Sequence, residues 1–147
     1  MSEIRNAIVN FRSAYDQLFM LVDQYPVDRR ELTGACGDWT AKQVLAHCSG
    51  WIVETQKRYD EYLAGELRKV RYDFDSFNAA SVAARQEMNW DETVRELRDL
   101  VEVYIVKSEA LPAEQVAANE RYVGWLDALT EDCEEHTEQL RVFVEGS

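Results

Sequence analysis

Apolar side chains recur along this chain at intervals of three and four residues, the spacing that places them on one face of an α-helix. Such stripes predict long helices over about Glu3–Gln24, Thr40–Ala64, Trp90–Leu111 and Tyr122–Val144. No segment shows the alternation of β-branched and polar residues that is typical of a strand. The pattern therefore predicts four long amphipathic helices.

The helix starts carry local signals as well. Thr40 and Gln43 have the spacing of a capping box, which predicts Thr40 as the N-cap of the second helix. Asn89 and Glu92 have the same spacing before the third. Pro112 is expected to end that helix because its ring cannot continue the hydrogen-bond pattern.

The stretch between the second and third long helices divides in two. The charged, aperiodic residues Gly65–Asp73 predict a loop, and Phe74–Met88 predict a shorter helix. That helix is expected to be built on Phe77, Ala80, Ala84 and Met88. Four long helices must bury their apolar stripes on one another, and a bundle is the simplest solution. We expect an all-α single domain over residues 1–147, a four-helix bundle with a short extra helix in a connection.

Composition narrows the function classes. The formal net charge of −12 opposes binding to nucleic-acid phosphates and to anionic lipid surfaces. No apolar run approaches the roughly 18 to 20 residues of a membrane helix, and no secretion signal is recognisable, so a cytoplasmic location is expected. Cys36, Cys48 and Cys133 are odd in number and lack C-x-x-C spacing, which disfavours a disulfide framework or a cysteine-built zinc site.

The chain has two histidines, His47 and His136. On a helical wheel His136 lies about 30° from the centre of its apolar stripe, with Asp132 about 70° from it on the same side, whereas His47 lies about 100° from its own stripe, at the boundary. Two imidazoles and a carboxylate suit a divalent transition metal and leave positions for water or substrate. The spacing also fits a solvated Asp132–His136 pair and a His47 bonded to a backbone carbonyl.

Other chemistry has less support in the residues. A nucleophile elbow, a phosphate loop and a dinucleotide fingerprint are absent. Either histidine could pair with Cys48 or Cys133, but nothing nearby in sequence lowers a thiol pKa. Four aromatic residues are expected in the core rather than against a ligand: Trp51, Tyr59, Tyr104 and Trp125.

Three segments resemble motifs of the DinB/YfiT-like superfamily. Residues 39–51 (WTAKQVLAHCSGW) are similar to its second-helix motif, and residues 131–140 (EDCEEHTEQL) to its last helix. Residues 77–85 (FNAASVAAR) resemble the short connecting helix of many members, including ClbS/DfsB-type proteins. The correspondence covers nearly the whole chain in the right order.

The resemblance implies a four-helix bundle, commonly a homodimer. It also implies a divalent metal, often nickel or zinc, held by one histidine of the second helix and two of the last. His47 and His136 match two of these ligands. Asp132 stands where the family has the third histidine, which implies either a mixed site or weakened or lost metal binding.

Three functions remain open. In the first, His47, Asp132 and His136 hold one metal and activate water or a thiol against a small electrophilic molecule, for hydrolysis, transfer or detoxification. In the second, the chain is a metal-free ClbS/DfsB-like hydrolase or resistance protein whose general base is His47, Asp132 or Glu54, the last lying seven residues after His47 on the same face. Its pocket would be lined by Trp51, Tyr59 and Asn78. The third is a non-catalytic dimeric binding module.

Overall fold

Six α-helices form the framework of the described chain, residues 2–146 of a computed structural model. They are α1 Glu3–Asp23, α2 Ala41–Leu63, α3 Phe74–Ala83, α4 Trp90–Glu109, α5 Ala113–Ala118 and α6 Arg121–Glu145. A 3-10 turn follows α1 at Val27–Arg29. Residues 2–146 contain no strand, only an isolated bridge between Cys36 and Trp39. The all-α prediction is confirmed for these residues, and Met1 and Ser147 lie outside them.

The four long helices α1, α2, α4 and α6 pack as a bundle. Helix α1 contacts α4 and α6, and α2 contacts the same two neighbours. The hydroxyl of Tyr25, just after α1, donates to the carbonyl of Leu140 near the end of α6 at 2.9 Å, so α1 and α6 run in the same direction. Asp23 at the end of α1 pairs with Arg98 in the first half of α4, so these two helices are antiparallel.

The predicted stripes meet in one core. Its largest fully buried apolar and aromatic side chains come from all four long helices and include Phe11, Leu18, Ile52, Leu97, Tyr104, Leu126 and Tyr122. Each aliphatic or Phe side chain of this kind contributes about 1.5 to 3 kcal/mol of burial free energy. The predicted core residues Tyr59 and Tyr104 stack there with ring centroids 4.9 Å apart. Trp51 and Trp125 differ from the prediction because they are only half-buried, at the edge of the core.

The predicted helix starts are confirmed. Thr40 caps α2 and Asn89 caps α4, each with both hydrogen bonds of a capping box. Helix α4 ends at Glu109, shortly before Pro112. Pro112 then starts the short helix α5, which the periodicity does not predict. None of the helices described over residues 2–146 combines the length and apolarity that a membrane span needs.

The observed helix α3 differs from the predicted one in two ways. It ends at Ala83 and not at Met88, because Arg85 folds back to donate to the Ser81 carbonyl at 3.1 Å and bonds Glu96 of α4 at 2.7 Å. Its buried face is also different, since Ser81 is buried whereas the expected core residues Ala80 and Ala84 are exposed. Ser81 faces Gly50 of α2, where the missing side chain lets the two helices approach closely.

Candidate metal site and adjoining pocket

Three side chains from two helices meet inside the bundle, and we call them the His–Asp–His cluster: His47 of α2 with Asp132 and His136 of α6. The two imidazole rings lie edge to face, with centroids 4.9 Å apart. Each residue offers one ligand atom, and these atoms all lie within 4.8 Å of one another. The structure thus brings together the residues that the spacing singled out, and the cluster could hold a metal ion.

Both histidines of the cluster are buried. His47 is 6% exposed and His136 is 7% exposed, while the Asp132 side chain keeps 38%. The boundary position predicted for His47 is wrong because α3 covers the second side of α2, so that every residue from 44 to 50 is buried. The Trp39 ring also packs on His47, with centroids 5.1 Å apart.

Asp132 lies between the two rings. His47 Nε2 is 3.3 Å from Asp132 Oδ2, within hydrogen-bond geometry. His136 Nε2 is 3.3 Å from Asp132 Oδ1 but is poorly aligned, and this buried nitrogen has no hydrogen-bond partner. Metal–ligand bonds of about 2.0 to 2.1 Å in a tetrahedral site place neighbouring ligand atoms about 3.3 Å apart. Each separation matches one edge of such a site, but the two rings face different oxygens of Asp132, so a cation bound through one of these oxygens would draw the side chains slightly closer together.

The outer nitrogen of His47 is held by Asn78 of α3. Trp51 Nε1 donates to Asn78 Oδ1 at 2.7 Å, and His47 Nδ1 lies 3.1 Å from the same atom. Because an indole nitrogen can only donate, the shared amide atom must be the oxygen, and His47 Nδ1 must carry a proton. In a neutral His47 ring Nε2 is then unprotonated, and its lone pair is directed at the cluster. Such an outer partner is what normally orients a metal-binding histidine.

His136 has a similar outer contact within its own helix. Its Nδ1 lies 2.7 Å from Oε1 of Gln139. With the amide oxygen accepting, Nδ1 carries the proton and Nε2 again faces Asp132. The cluster therefore presents ring nitrogens and carboxylate oxygens toward a common centre.

The charges of the cluster are strongly coupled. Burial would raise the pKa of Asp132, but the adjacent imidazoles of His136 and His47 outweigh it and hold that pKa well below its ordinary value. Burial would lower the pKa of His136, yet the adjacent Asp132 carboxylate and the Gln139 contact leave it raised. Asp132 is thus ionised at neutral pH and favours a proton on His136 or a cation within the cluster.

The structural alternatives for these residues do not hold. His136 is buried, so Asp132 and His136 are not a solvated surface pair. His47 bonds two side chains, Asn78 and Asp132, and not a backbone carbonyl. The neighbouring acids of α6 do form an exposed face: Glu131, Glu134, Glu135 and Glu138.

A pocket of about 410 Å³ opens beside the cluster. His47 and Asp132 line it, whereas His136 lies behind them. Of the predicted pocket residues, Trp51 and Asn78 also line it. Tyr59 does not, because it is buried in the core, where its hydroxyl lies 2.9 Å from Ser108 Oγ. The remaining lining residues include Glu54, Thr55, Arg58, Tyr72, Phe74, Trp125, Ala128 and Leu129.

The end of the pocket away from the cluster is charged. The Tyr72 hydroxyl donates to Glu54 Oε2 at 2.6 Å, and Arg58 Nη2 donates to Glu61 Oε2 at 2.8 Å. Sequence reasoning did not single out Arg58, although a signal exists. At about 100° per residue, Arg58 lies about 20° from His47 on the helical wheel, three turns further along the same face.

The cysteines do not fit a nucleophilic role. All three are free thiols. Burial raises the pKa of Cys133 to about 12 and that of Cys48 well above its ordinary value. A thiol must ionise to act as a nucleophile, so the structure gives no support to a cysteine–histidine catalytic pair.

Comparison of the chain with protein-family models, with curated proteins and with solved structures finds no match. The superfamily resemblance therefore stays a prediction, and the cluster with its pocket is the feature that bears on function.

Proposed function

We propose that this protein is a metal-dependent enzyme that acts on a small electrophilic molecule by hydrolysis or thiol transfer. His47, Asp132 and His136 would hold one divalent cation, nickel or zinc, in each chain. The observation that carries the proposal is the convergence of Nε2 atoms and carboxylate oxygens while the outer Nδ1 atoms lie against the amide oxygens of Asn78 and Gln139.

Buried acceptor atoms that face one another need a positive charge between them. In the cluster this charge is either protons on the rings or a metal ion. His136 Nε2 is buried without a hydrogen-bond partner, so protonation alone leaves this atom poorly satisfied. A metal ion would instead use the Nε2 lone pairs of both neutral rings together with the ionised Asp132.

The position of the pocket supports a catalytic role. Such a cation acts as a Lewis acid toward a water, a thiol or a substrate oxygen. His47 and Asp132 border the pocket, so a substrate would approach the cluster from that side. Asn78 and Trp51 would keep the His47 ring in one orientation, and Trp51 also forms a wall of the pocket.

Membership of the DinB/YfiT-like superfamily is part of this proposal. The segments around His47, Asn78 and His136 that resemble the family include the residues that meet at the cluster. Asp132 takes the place of the third family histidine, which makes the proposed site a mixed one. The same resemblance predicts a homodimer, which light scattering on the purified protein would test.

The metal-free alternative has weaker support. A histidine base needs a free ring nitrogen, but His47 Nδ1 donates to Asn78 and its Nε2 faces Asp132. Asp132 is a weak base because its pKa is held low. Glu54 is bonded by Tyr72, and its Cα lies about 10 Å along α2 from that of His47.

Elemental analysis of protein purified without an affinity tag tests the proposal. We expect about one equivalent of zinc or nickel per chain, and a loss of at least tenfold in occupancy for His136→Ala. Glu135→Ala, which removes an exposed acid beside His136, is the matched control and should keep the metal. If the wild-type protein binds no divalent metal and added zinc, nickel, cobalt or manganese does not raise its melting temperature, the metal proposal is wrong.

Catalysis is tested separately with a panel of activated esters, epoxides and other strained electrophiles, with and without a thiol. Turnover should require both the metal and His47. Metal binding without turnover of any class would favour the non-catalytic binding module.

A further inference from the structure

We propose that the pocket selects molecules with an anionic group, such as a carboxylate, and that Arg58 binds this group at the end away from the His–Asp–His cluster. The proposal rests on the proposed function for the chemistry at the cluster, and it adds the class of molecule that enters. The decisive observations concern the hydrogen-bonding state of Arg58.

Arg58 is a buried cation with unmet hydrogen-bonding capacity. Its side chain is only 6% exposed, yet Nε and Nη1 have no partner. A guanidinium carries five N–H donors, and here the hydrogen bond runs from Nη2 to Glu61. Burying charged donors without acceptors is costly. A ligand acceptor would therefore gain affinity by completing this group.

The nearby carboxylates do not complete Arg58. Glu61 is shared with Arg68, which bonds both of its oxygens at 3.2 and 3.0 Å. Glu54 accepts from Tyr72 and lies 3.7 Å from Arg58 Nη2. These two arginines and two glutamates balance in charge. The charges are therefore balanced, but hydrogen-bond donors of Arg58 still lack acceptors.

This donor capacity determines the chemical class of the ligand. Among the pocket-lining residues, all of which are described, the buried polar side-chain atoms without a partner are Arg58 Nε and Nη1. A matching ligand group must be an acceptor, and a planar carboxylate fits a guanidinium better than a neutral carbonyl because the bond is charge-assisted. Both nitrogens are covered, so binding requires the guanidinium to turn toward the pocket that it borders.

The walls between the two ends are largely aromatic and apolar. Trp51, Tyr72, Phe74 and Trp125 line the pocket together with Ala128 and Leu129. The Cα atoms of His47 and Arg58 are about 16 Å apart along α2, and their side chains leave room for a ligand about 10 Å long. The expected substrate is a flat or apolar molecule with an anionic group at one end and its electrophilic centre at the other.

Two probes of matched shape test the inference: 2-naphthoate and the neutral 2-naphthamide. Their affinities for protein treated with EDTA are measured by calorimetry, so that no metal competes for the carboxylate. We expect 2-naphthoate to bind about tenfold tighter, the gain from one charge-assisted hydrogen bond of ordinary strength. Equal affinities in the wild-type protein would overturn the proposal.

Variants locate the preference. Arg58→Met with Glu61→Gln keeps the local charge balanced and should make the two affinities equal. Arg12→Met with Glu102→Gln removes an exposed arginine–glutamate pair elsewhere and should leave the preference intact. A preference that survives the Arg58 double variant would refute the role of Arg58.

Two further arms complete the test. If the Arg58 double variant does not fold, Arg58→Lys keeps a charge but lacks the planar fork, and it should reduce the preference at least threefold. A preference that appears only with zinc bound would mean that the carboxylate binds at the cluster, against the proposal. A preference in protein that binds no metal would support the role of Arg58 while the metal proposal fails.

Discussion

Gly50→Ala is the substitution that most directly tests how the fold builds the site. Gly50 lies in α2 against Ser81 of α3, and a Cβ atom at position 50 would stand 2.2 Å from Ser81 Oγ and 2.5 Å from Ser81 Cβ. The hydroxyl can rotate away, but the Ser81 Cβ moves only with the α3 backbone. Because contacts of this kind are rarely closer than 3.4 Å, α3 must move by about 1 Å.

Two opposing terms set the effect on stability. Alanine favours a helix over glycine by about 1 kcal/mol, and overpacking a close contact costs about 1 to 3 kcal/mol. Gly124→Ala is the matched control, since Gly124 lies in α6 and its added Cβ would meet nothing within 4 Å. We expect Gly124→Ala to stabilise the protein by about 0.5 to 1 kcal/mol. Gly50→Ala should be about 1 to 3 kcal/mol less stable than this control, as measured by urea unfolding.

The same shift should weaken the metal site. Helix α3 carries Asn78 one turn before Ser81, and Asn78 orients the His47 ring. Loss of such an outer hydrogen bond typically costs 10- to 100-fold in metal affinity. Competition with a chelator measures this loss. If Gly50→Ala is as stabilising as Gly124→Ala and leaves metal affinity unchanged, the close approach of α3 does not position the site.

Three further predictions concern single contacts. Asn78→Leu should lower metal affinity about 10- to 100-fold without unfolding the protein, as chelator competition and circular dichroism would show. The free energy of unfolding, measured with urea in EDTA at pH 5 to 9, should fall as the pH rises above 6.5. The reason is that His136 has a raised pKa in the folded protein, so the proton that stabilises the fold is lost as the pH rises through that pKa. His136→Ala should flatten this fall. Thr40→Ala should cost about 0.5 to 2 kcal/mol, more than Ser2→Ala at the fraying start of α1.

The parts of the fold that were predicted correctly depend on local chemistry. Each long helix has a stripe that needs burial, and Thr40 and Asn89 mark starts through bonds within three residues. Helix α3 was predicted too long because Arg85 bonds Glu96 of α4, which lies 11 residues further along the chain. The spacing of apolar residues along the chain carries no information about that contact.

In the candidate site, too, features set by residues close in sequence were predictable, whereas features set by contacts between helices were not. The spacing of Asp132 and His136 on one face of α6 pointed to a pair, and their meeting with His47 agrees with it. The degree of burial of His47 could not be read from α2 alone, because a second helix covers the face that a wheel leaves open. Arg58 was detectable by its three-turn spacing from His47, but only the structure shows which of its donors lack partners.

Helix α3 is therefore a component of the site and more than a connection between long helices. The cluster residues lie on α2 and α6, yet the proton on His47 Nδ1 is determined by Asn78 of α3. The same short helix and the segment before it supply Phe74 and Tyr72 to the pocket. Because Gly50 sets how closely α3 approaches, one backbone contact influences both the orientation of a proposed ligand and the shape of the space beside it. A chain that keeps both histidines but not this contact should lose the oriented ring before it loses the bundle.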